Sequence, residues 1–437
     1  MAGGIWIVQN KERPGAYINF KSDKTTAITI KDRGIVTMPF IFPWGPEKQM
    51  VEINYNDNLS DVLGIDITDP CAVLIREVFK RAKTLLFYRI NSGIKATKTI
   101  GALTAAAKYS GTKGNNIIIT IQTNIDEATN FDVITIFENQ EVDKQTVKLA
   151  ENLKSNKYID FAGTGSLTLT AGTPLVGGSD GIPINKDYTD YLSTIELYDF
   201  NTLALASKDL ALKATYASFV KRLRDEEGRK IQGVLENYPY ANYEGIISVK
   251  NGVILKDQTV LSSDKVVAWV AAATAGANVN QSLTHSIYED AVDVDTRYTD
   301  SQITAALENG EFLFTIDDKQ AVVESDINTF ITFTDDKGKV FRKNRPLRVL
   351  DAIGNDIKAL FSKSHQGKMD NNDDGRNLFK VALIKYMESL QGINAIKNFT
   401  PDDIEIIEGE DGDAVEVSLW AQPVDAADKL YMNVGVR

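Results

Sequence analysis

The chain ends on VDAADKLYMNVGVR, and from Leu430 its apolar and polar positions alternate. Leu430, Met432, Val434 and Val436 fall on one face, Tyr431, Asn433, Gly435 and Arg437 on the other, which is the two-residue period of a strand. Its apolar face needs cover that its neighbours in sequence do not offer. The opposite end reads the same way: GAYINF and TTAITI are β-branched and aromatic runs split by KSDK, more an arm than a core.

Between the ends the pattern changes twice. In DPCAVLIREVFKRAKTLLFYRI, Asp69 caps a helix with Pro70 at its first position, and Thr84 to Ile90 form a buried strand, an α/β unit. From Thr97 to Gly181 short Thr- and Ile-rich strands take over (NIIITIQT, FDVITIF, SLTLTAG), with one helix expected at TVKLAENLKS. After GGSDG the α/β texture returns: an amphipathic stretch from Lys208 to Arg224, strands at IQGVLE and EGIISV, and a helix at SDKVVAWVAAATAGA capped by Ser263 or Asp264. One domain is thus split by another. From Ser325 a third region is expected, with a strand INTFITF, helices from Pro346 to Lys363 and from Asp374 to Gln391, and two strands, DIEIIEG and AVEVSLW, joined by the turn EDGD.

The fold class that follows is mixed α/β and α+β in several domains. Residues 1–20 form an N-terminal arm, 21–97 plus 182–324 a discontinuous α/β middle domain, 98–181 a β-rich insert, 325–420 an α+β domain and 421–437 a C-terminal strand arm. Thr- and Gly-rich hinges at its borders predict that the insert is removable without disturbing the rest.

Composition removes several function classes. A formal net charge of -12 argues against nucleic acid or an anionic membrane as the main partner. No apolar run is long enough to span a membrane and the first residues lack the order of a signal peptide, so a cytosolic protein is expected. The single cysteine, Cys71, allows no internal disulfide and reads as a small packed residue rather than a reactive thiol.

Two motifs suggest chemistry and fail on their context. GGSDG, Gly177 to Gly181, fits the serine nucleophile elbow, which would make Ser179 the nucleophile of a hydrolase; but Pro183 and Asn185 stand where its helix should start, and only His285 and His365 could serve as base. A Gly-rich hinge is the plainer reading. DNNDDG places Asp370, Asn372 and Asp374 as in a calcium loop, the basis of a third reading as a calcium-dependent binding module, yet the twelfth place is Val381 and a helix cap accounts for the turn. No Cys/His cluster, P-loop or dinucleotide fingerprint is present, so no cofactor and no metal are expected. KGKVFRKNRPLR gathers Lys337, Lys339, Arg342, Lys343, Arg345 and Arg348 against the acidic background, a solvated face or a docking surface for an acidic partner.

Seven stretches in order, RPGAYINF, DRGIVTMPFIFPWGPE, VAAATAGANVNQSLTH, DVDTRYTDSQITAALENG, FRKNRPLRVLDAIGNDI, NNDDGRNLFKVALIKYMESLQ and QPVDAADKLYMNV, resemble contractile tail sheath proteins of myovirus-type phages and phage-tail-like bacteriocins. The resemblance covers most of the chain and is weakest between Thr97 and Gly181. It implies a structural subunit, not an enzyme, that polymerises as stacked hexameric rings in helical array around a tail tube and contracts to drive the tube through a bacterial envelope. The partners it implies are further copies, the tail tube protein, and baseplate and tail terminator proteins, with no direct nucleic acid and no membrane insertion. Assembly in the bacterial cytoplasm would precede incorporation into a virion tail or a released tail-like particle.

On this resemblance the insert becomes an outer domain and the 325–420 region an inner, tube-facing one. Both arms add strands to neighbouring subunits, through Tyr17, Ile18 and Phe20 at one end and Leu430, Met432, Val434 and Val436 at the other. Arg342, Lys343, Arg345 and Arg348 become the candidates to face the tube. Strand addition would also cover an open edge that is otherwise a liability.

Overall fold

The computed structural model describes residues 2–4, 15–17 and 33–436. Its centre is a seven-stranded sheet in the order Glu311–Phe312, Ile246–Val249, Gln232–Glu236, Thr202–Leu205, Ile35–Phe40, Thr84–Arg89 and Met50–Asn54. All neighbours are parallel except the last pair. Parallel strands need both faces covered, and the residues alternate accordingly. Val36, Met38 and Ala204 face a core shared with the helices Val73–Phe79 and Ser263–Gly276; Leu86, Tyr88, Leu203 and Leu205 face Asn185–Ile195 and Leu210–Asp225.

Helix starts follow their capping chemistry. Asp69 accepts from Cys71 N at 2.9 Å ahead of the short Pro70–Ala72 turn, and Asp209 accepts from Leu212 N at 2.9 Å. The helix expected to be capped by Ser263 or Asp264 instead takes Ser262 as its cap, and Ser263 is its first residue.

The β-rich insert is two packed sheets, Gln140–Val147, Phe131–Phe137, Ile117–Thr123 and Thr170–Pro174 against Ile159–Gly163, Leu103–Ser110 and Lys95–Ile100. The helix expected at TVKLAENLKS does not form. Its first residues extend the Gln140 strand to Val147, Thr146 Oγ1 bonds Asp132 at 2.7 Å, and the Gln145 side chain holds both Lys154 N and O, leaving only a single turn at Ala150–Asn152. Local side-chain bonds of this kind compete with a helix.

The insert shares its core with the central sheet, which argues against the free removal that its Gly- and Thr-rich borders predict. One hydrophobic core runs from Val36, Phe42 and Trp44 through Ala96, Leu103 and Ile117 to Val133. Trp44 is fully buried, edge-on to Tyr109 and tilted on Phe137, each at 5.4 Å. Beside it the buried Arg89 donates to Gly45 O at 2.9 Å and Ser110 O at 3.0 Å, while Asn91 donates to Phe42 O and Asp180 O. The glycines serve close approach: a Cβ on Gly111 would lie 1.9 Å from Pro43 O, and its φ of +126° is one that other residues rarely adopt.

Beyond the sheet, INTFITF forms no strand. Asn328 and Thr329 are buried and spend their bonds on Phe341 O and on Tyr243 N and O, while Ile327 makes a lone bridge to Lys343. The helices Asn344–Leu360 and Asp373–Gly392 pack on each other and on the hairpin Ile404–Glu408/Val415–Leu419 through Val349, Ile353, Phe379, Leu383, Met387 and Ile404.

Candidate assembly interfaces

Two features leave apolar side chains or a strand edge uncovered. The first is the C-terminal arm. Its root is held: Lys397 N donates to Gln422 O at 3.0 Å, Val424 N to Ala395 O at 2.9 Å, and Lys343 forms an ion pair with Asp428. After Asp428 the described chain makes no ladder with the body. Leu430, Met432, Val434 and Val436 are 85%, 72%, 74% and 95% exposed. Tyr431, on the other face, is exposed as well, so the described arm packs neither face on its own body.

The second is the hairpin. Among the described residues, Ile404–Glu408 and Val415–Leu419 pair only with each other, so each has one open edge of backbone donors and acceptors. Ile404, Ile406, Val417 and Leu419 turn to the helical core, whereas Ile407 and Trp420 are exposed. A groove of about 500 Å³ runs along it, lined by Arg376, Lys380, Glu405, Ile407 and Trp420 among others. This hairpin was present in the alternation of AVEVSLW, where Trp420 is the largest apolar side chain; that its outer edges stay unpaired shows only in the fold.

The N-terminal candidates are seen in part. Gly15–Tyr17 pairs in parallel with Ala2–Gly4, and Ile18 and Phe20 lie outside the described residues.

The basic stretch is largely consumed inside the chain, which corrects its reading as a cationic face. Arg348 is 0% exposed, donates to Gln281 O and lies 3.5 Å from Asp326, so it has no surface to offer a tube. Arg342 donates to Leu307 O, Lys343 pairs with Asp428 and Lys337 with Glu244. Burial, only partly offset by the Glu308 charge, pulls the Arg342 guanidinium below its ordinary range. Arg345 is half-buried and Lys339 exposed.

The remaining motifs have structural occupations. Ser179 exchanges backbone bonds with Ile94, each at 3.0 Å, in the link to the insert. His285 lies 3.9 Å from Asp317 and His365 lies tilted against Phe379 with ring centroids 4.7 Å apart, so neither serves Ser179. The next helix starts only at Asn185, where Asp187 accepts from Ile184 N at 2.8 Å, too far on to aim that serine. Asn372 accepts from Gly375 N at 2.9 Å as a helix cap, and Asn371 donates to Gly412 O and Ala414 O. The Cys71 thiol is pushed up to about 12 by burial and then by the bond and charge of Asp69, the opposite of a reactive thiolate. Among the described residues no helix is long and apolar enough to cross a membrane.

Residues 183–329 match the phage tail sheath protein central domain, 336–437 the phage tail sheath C-terminal domain, 91–180 the phage tail sheath protein beta-sandwich domain, and 33–90 the tail sheath protein Gp18 domain III N-terminal region. The chain belongs to the phage tail sheath family. It is therefore a structural sheath subunit and not an enzyme. The phage-like element PBSX protein XkdK of Bacillus subtilis is 44% identical over 467 residues, covering 100% of both chains. The crystal structure of a sheath tail protein from Desulfitobacterium hafniense superposes with a TM-score of 0.89 at 53% identity, over 96% of this chain and 99% of that one. The anti-feeding prophage helical sheath in its contracted state shares the fold at 12% identity, with a TM-score of 0.59 over 97% of this chain and 99% of that one.

Proposed function

We propose that copies of this chain stack as hexameric rings in helical array around a tail tube, and that the array contracts to drive the tube through a bacterial envelope. The observation that carries this reading is the pairing of an uncovered apolar arm with an uncovered hairpin edge in one chain. The arm of one copy adds to the hairpin of another, a contact of one surface with a different surface; repeated, such contacts give rings or helical filaments. Tyr17, Ile18 and Phe20 add from the other end. The energy for contraction is stored in packed interfaces with two arrangements.

In this reading the organisation is an N-terminal arm at 1–20, a middle domain at 21–97 and 182–324, an outer insert at 98–181, an inner domain at 325–420 and a C-terminal arm at 421–437. The partners are further copies, the tail tube protein, the baseplate and the tail terminator; assembly takes place in the bacterial cytoplasm, before incorporation into a virion tail or a released tail-like particle. Lys339 and Arg345 reach the tube, with Arg342 and Lys343 behind them. Electron microscopy of the purified protein, alone and with its tube protein, tests this: striated tubes wider than the bare tube support it, and monomers under every condition refute it. Lys339→Glu with Arg345→Glu should weaken sheathing of tubes most at low salt; unchanged sheathing would send the tube contact elsewhere.

A further inference from the structure

The open hairpin is strongly acidic. Between Asp402 and Glu416 stand eight carboxylates and no cation. Asp403 accepts from Thr400 N at 2.7 Å and Glu408 lies 3.5 Å from Arg376, which is also bound to Asp373; the other six are exposed and make no ion pair among the described residues. Alternation sorts them by face. Ile404, Ile406, Val417 and Leu419 pack on the helices, so Glu405, Ile407, Glu416 and Ser418 form the outer face, with Glu405 opposite Ser418 and Ile407 opposite Glu416. Each strand thus sets one outer-face glutamate beside its own open edge.

An open edge accepts any other open edge unless something forbids it. Two copies joined hairpin to hairpin would bring Glu405 or Glu416 of one beside the same residues of the other, where like charges across neighbouring strands repel. The arm meets no such barrier. Lys429 to Arg437 carries two cations and no acidic side chain, and with its apolar face turned to the helices its polar face, Tyr431, Asn433 and Gly435, falls on the side of Glu405 and Glu416.

We propose that these carboxylates are specificity determinants: they keep the hairpins of different copies from pairing with one another and leave the open edge to a segment without acidic side chains, the C-terminal arm of another copy. The inference rests on the reading of the hairpin as the arm's acceptor, and its test separates the two. The arm is first silenced in the full-length chain by Met432→Asp with Val434→Asp, and sedimentation velocity then reads self-association of the soluble protein. That chain should stay monomeric at low salt, and adding Glu405→Gln with Glu416→Gln should tighten self-association about tenfold; raising the salt should narrow the gap. If the Gln variant melts below the arm-silenced chain, a salt titration of the arm-silenced chain alone makes the same comparison, with association expected to rise as its charges are screened. With the arm otherwise intact, Asn433→Glu should cut tube formation at low salt while Asn433→Lys preserves it, since a merely structural role would not read the sign of the charge. A Gln variant as monomeric as its parent, an association indifferent to salt, or Asn433 variants that assemble alike overturns the proposal. If the unaltered chain forms no tubes, the acceptor reading fails, while the arm-silenced comparison still decides whether the carboxylates hold hairpins apart.

Discussion

The junction of the insert and the terminal arm look alike in sequence and are opposites in the fold. Both are short border stretches that include glycine and β-branched residues. At the junction, backbones cross so closely that Gly111 has no room for a Cβ, and Arg89 and Asn91 bond segments from both sides within a common core. At the arm, nothing within the described chain covers the apolar face beyond Asp428. Glycine at a border therefore signals close approach as readily as freedom, and alternation at a chain end signals a strand without saying whose sheet it joins.

The largest way to break this contrast is at the tryptophan. Trp44→Ala should destabilise the soluble protein by about 3–5 kcal/mol, the usual range for a large aromatic removed from a core. Replacing residues 98–181 with a short linker should give aggregated protein, since it uncovers Phe42 and Trp44 together. Denaturant melts and size-exclusion chromatography check both; a cooperative, monomeric deletion variant would make the insert a true appendage after all. Next in size, Arg89→Met should cost about 1–3 kcal/mol for each buried partner it leaves unsatisfied, read from the same melts, and a neutral outcome would remove the polar hub from the account.

The smallest effect is on acidity. Burial alone would raise the Glu47 carboxyl, but hydrogen bonds from Ser110 and Ser92, with the Arg89 charge, hold it below its ordinary range; Asp69 is likewise raised by burial and lowered more by Lys113 and Cys71. Ser110 and Lys113 belong to the insert, so both carboxylates tie it to the central sheet. A depressed carboxylate stabilises above its unfolded value and loses that contribution as pH falls through its folded one, so the junction should weaken below about pH 4. Melting temperature against pH for the parent and Glu47→Gln checks this: the variant should be flatter in that window, with a difference of about 1 kcal/mol or less, and parallel curves would dismiss the linkage.

Much of this was legible in the residues. The mixed α/β texture with a sheet-rich stretch, the cap at Asp69 and the paired strands around EDGD rest on local periodicity and capping, which a sequence displays directly. What was not legible depended on distant partners. INTFITF has strand composition, but Asn328 and Thr329 find better bonds with Phe341 and Tyr243. TVKLAENLKS has helical spacing, but Asp132 and Gln145 claim it for the sheet. The basic run was visible as charge, yet whether Arg348 met water or Asp326 depended on a segment outside the run itself.

The most direct test of the account is removal of Lys429–Arg437. Burying Leu430, Met432, Val434 and Val436 in a neighbour is worth roughly 1.5–3 kcal/mol per side chain as an upper bound, and none of it belongs to the chain that carries them. The truncated protein should melt cooperatively at the parent's temperature in calorimetry and form no tubes by electron microscopy, and Met432→Asp with Val434→Asp should do the same. A melting temperature lowered by many degrees, or tubes that persist without the arm, would contradict it.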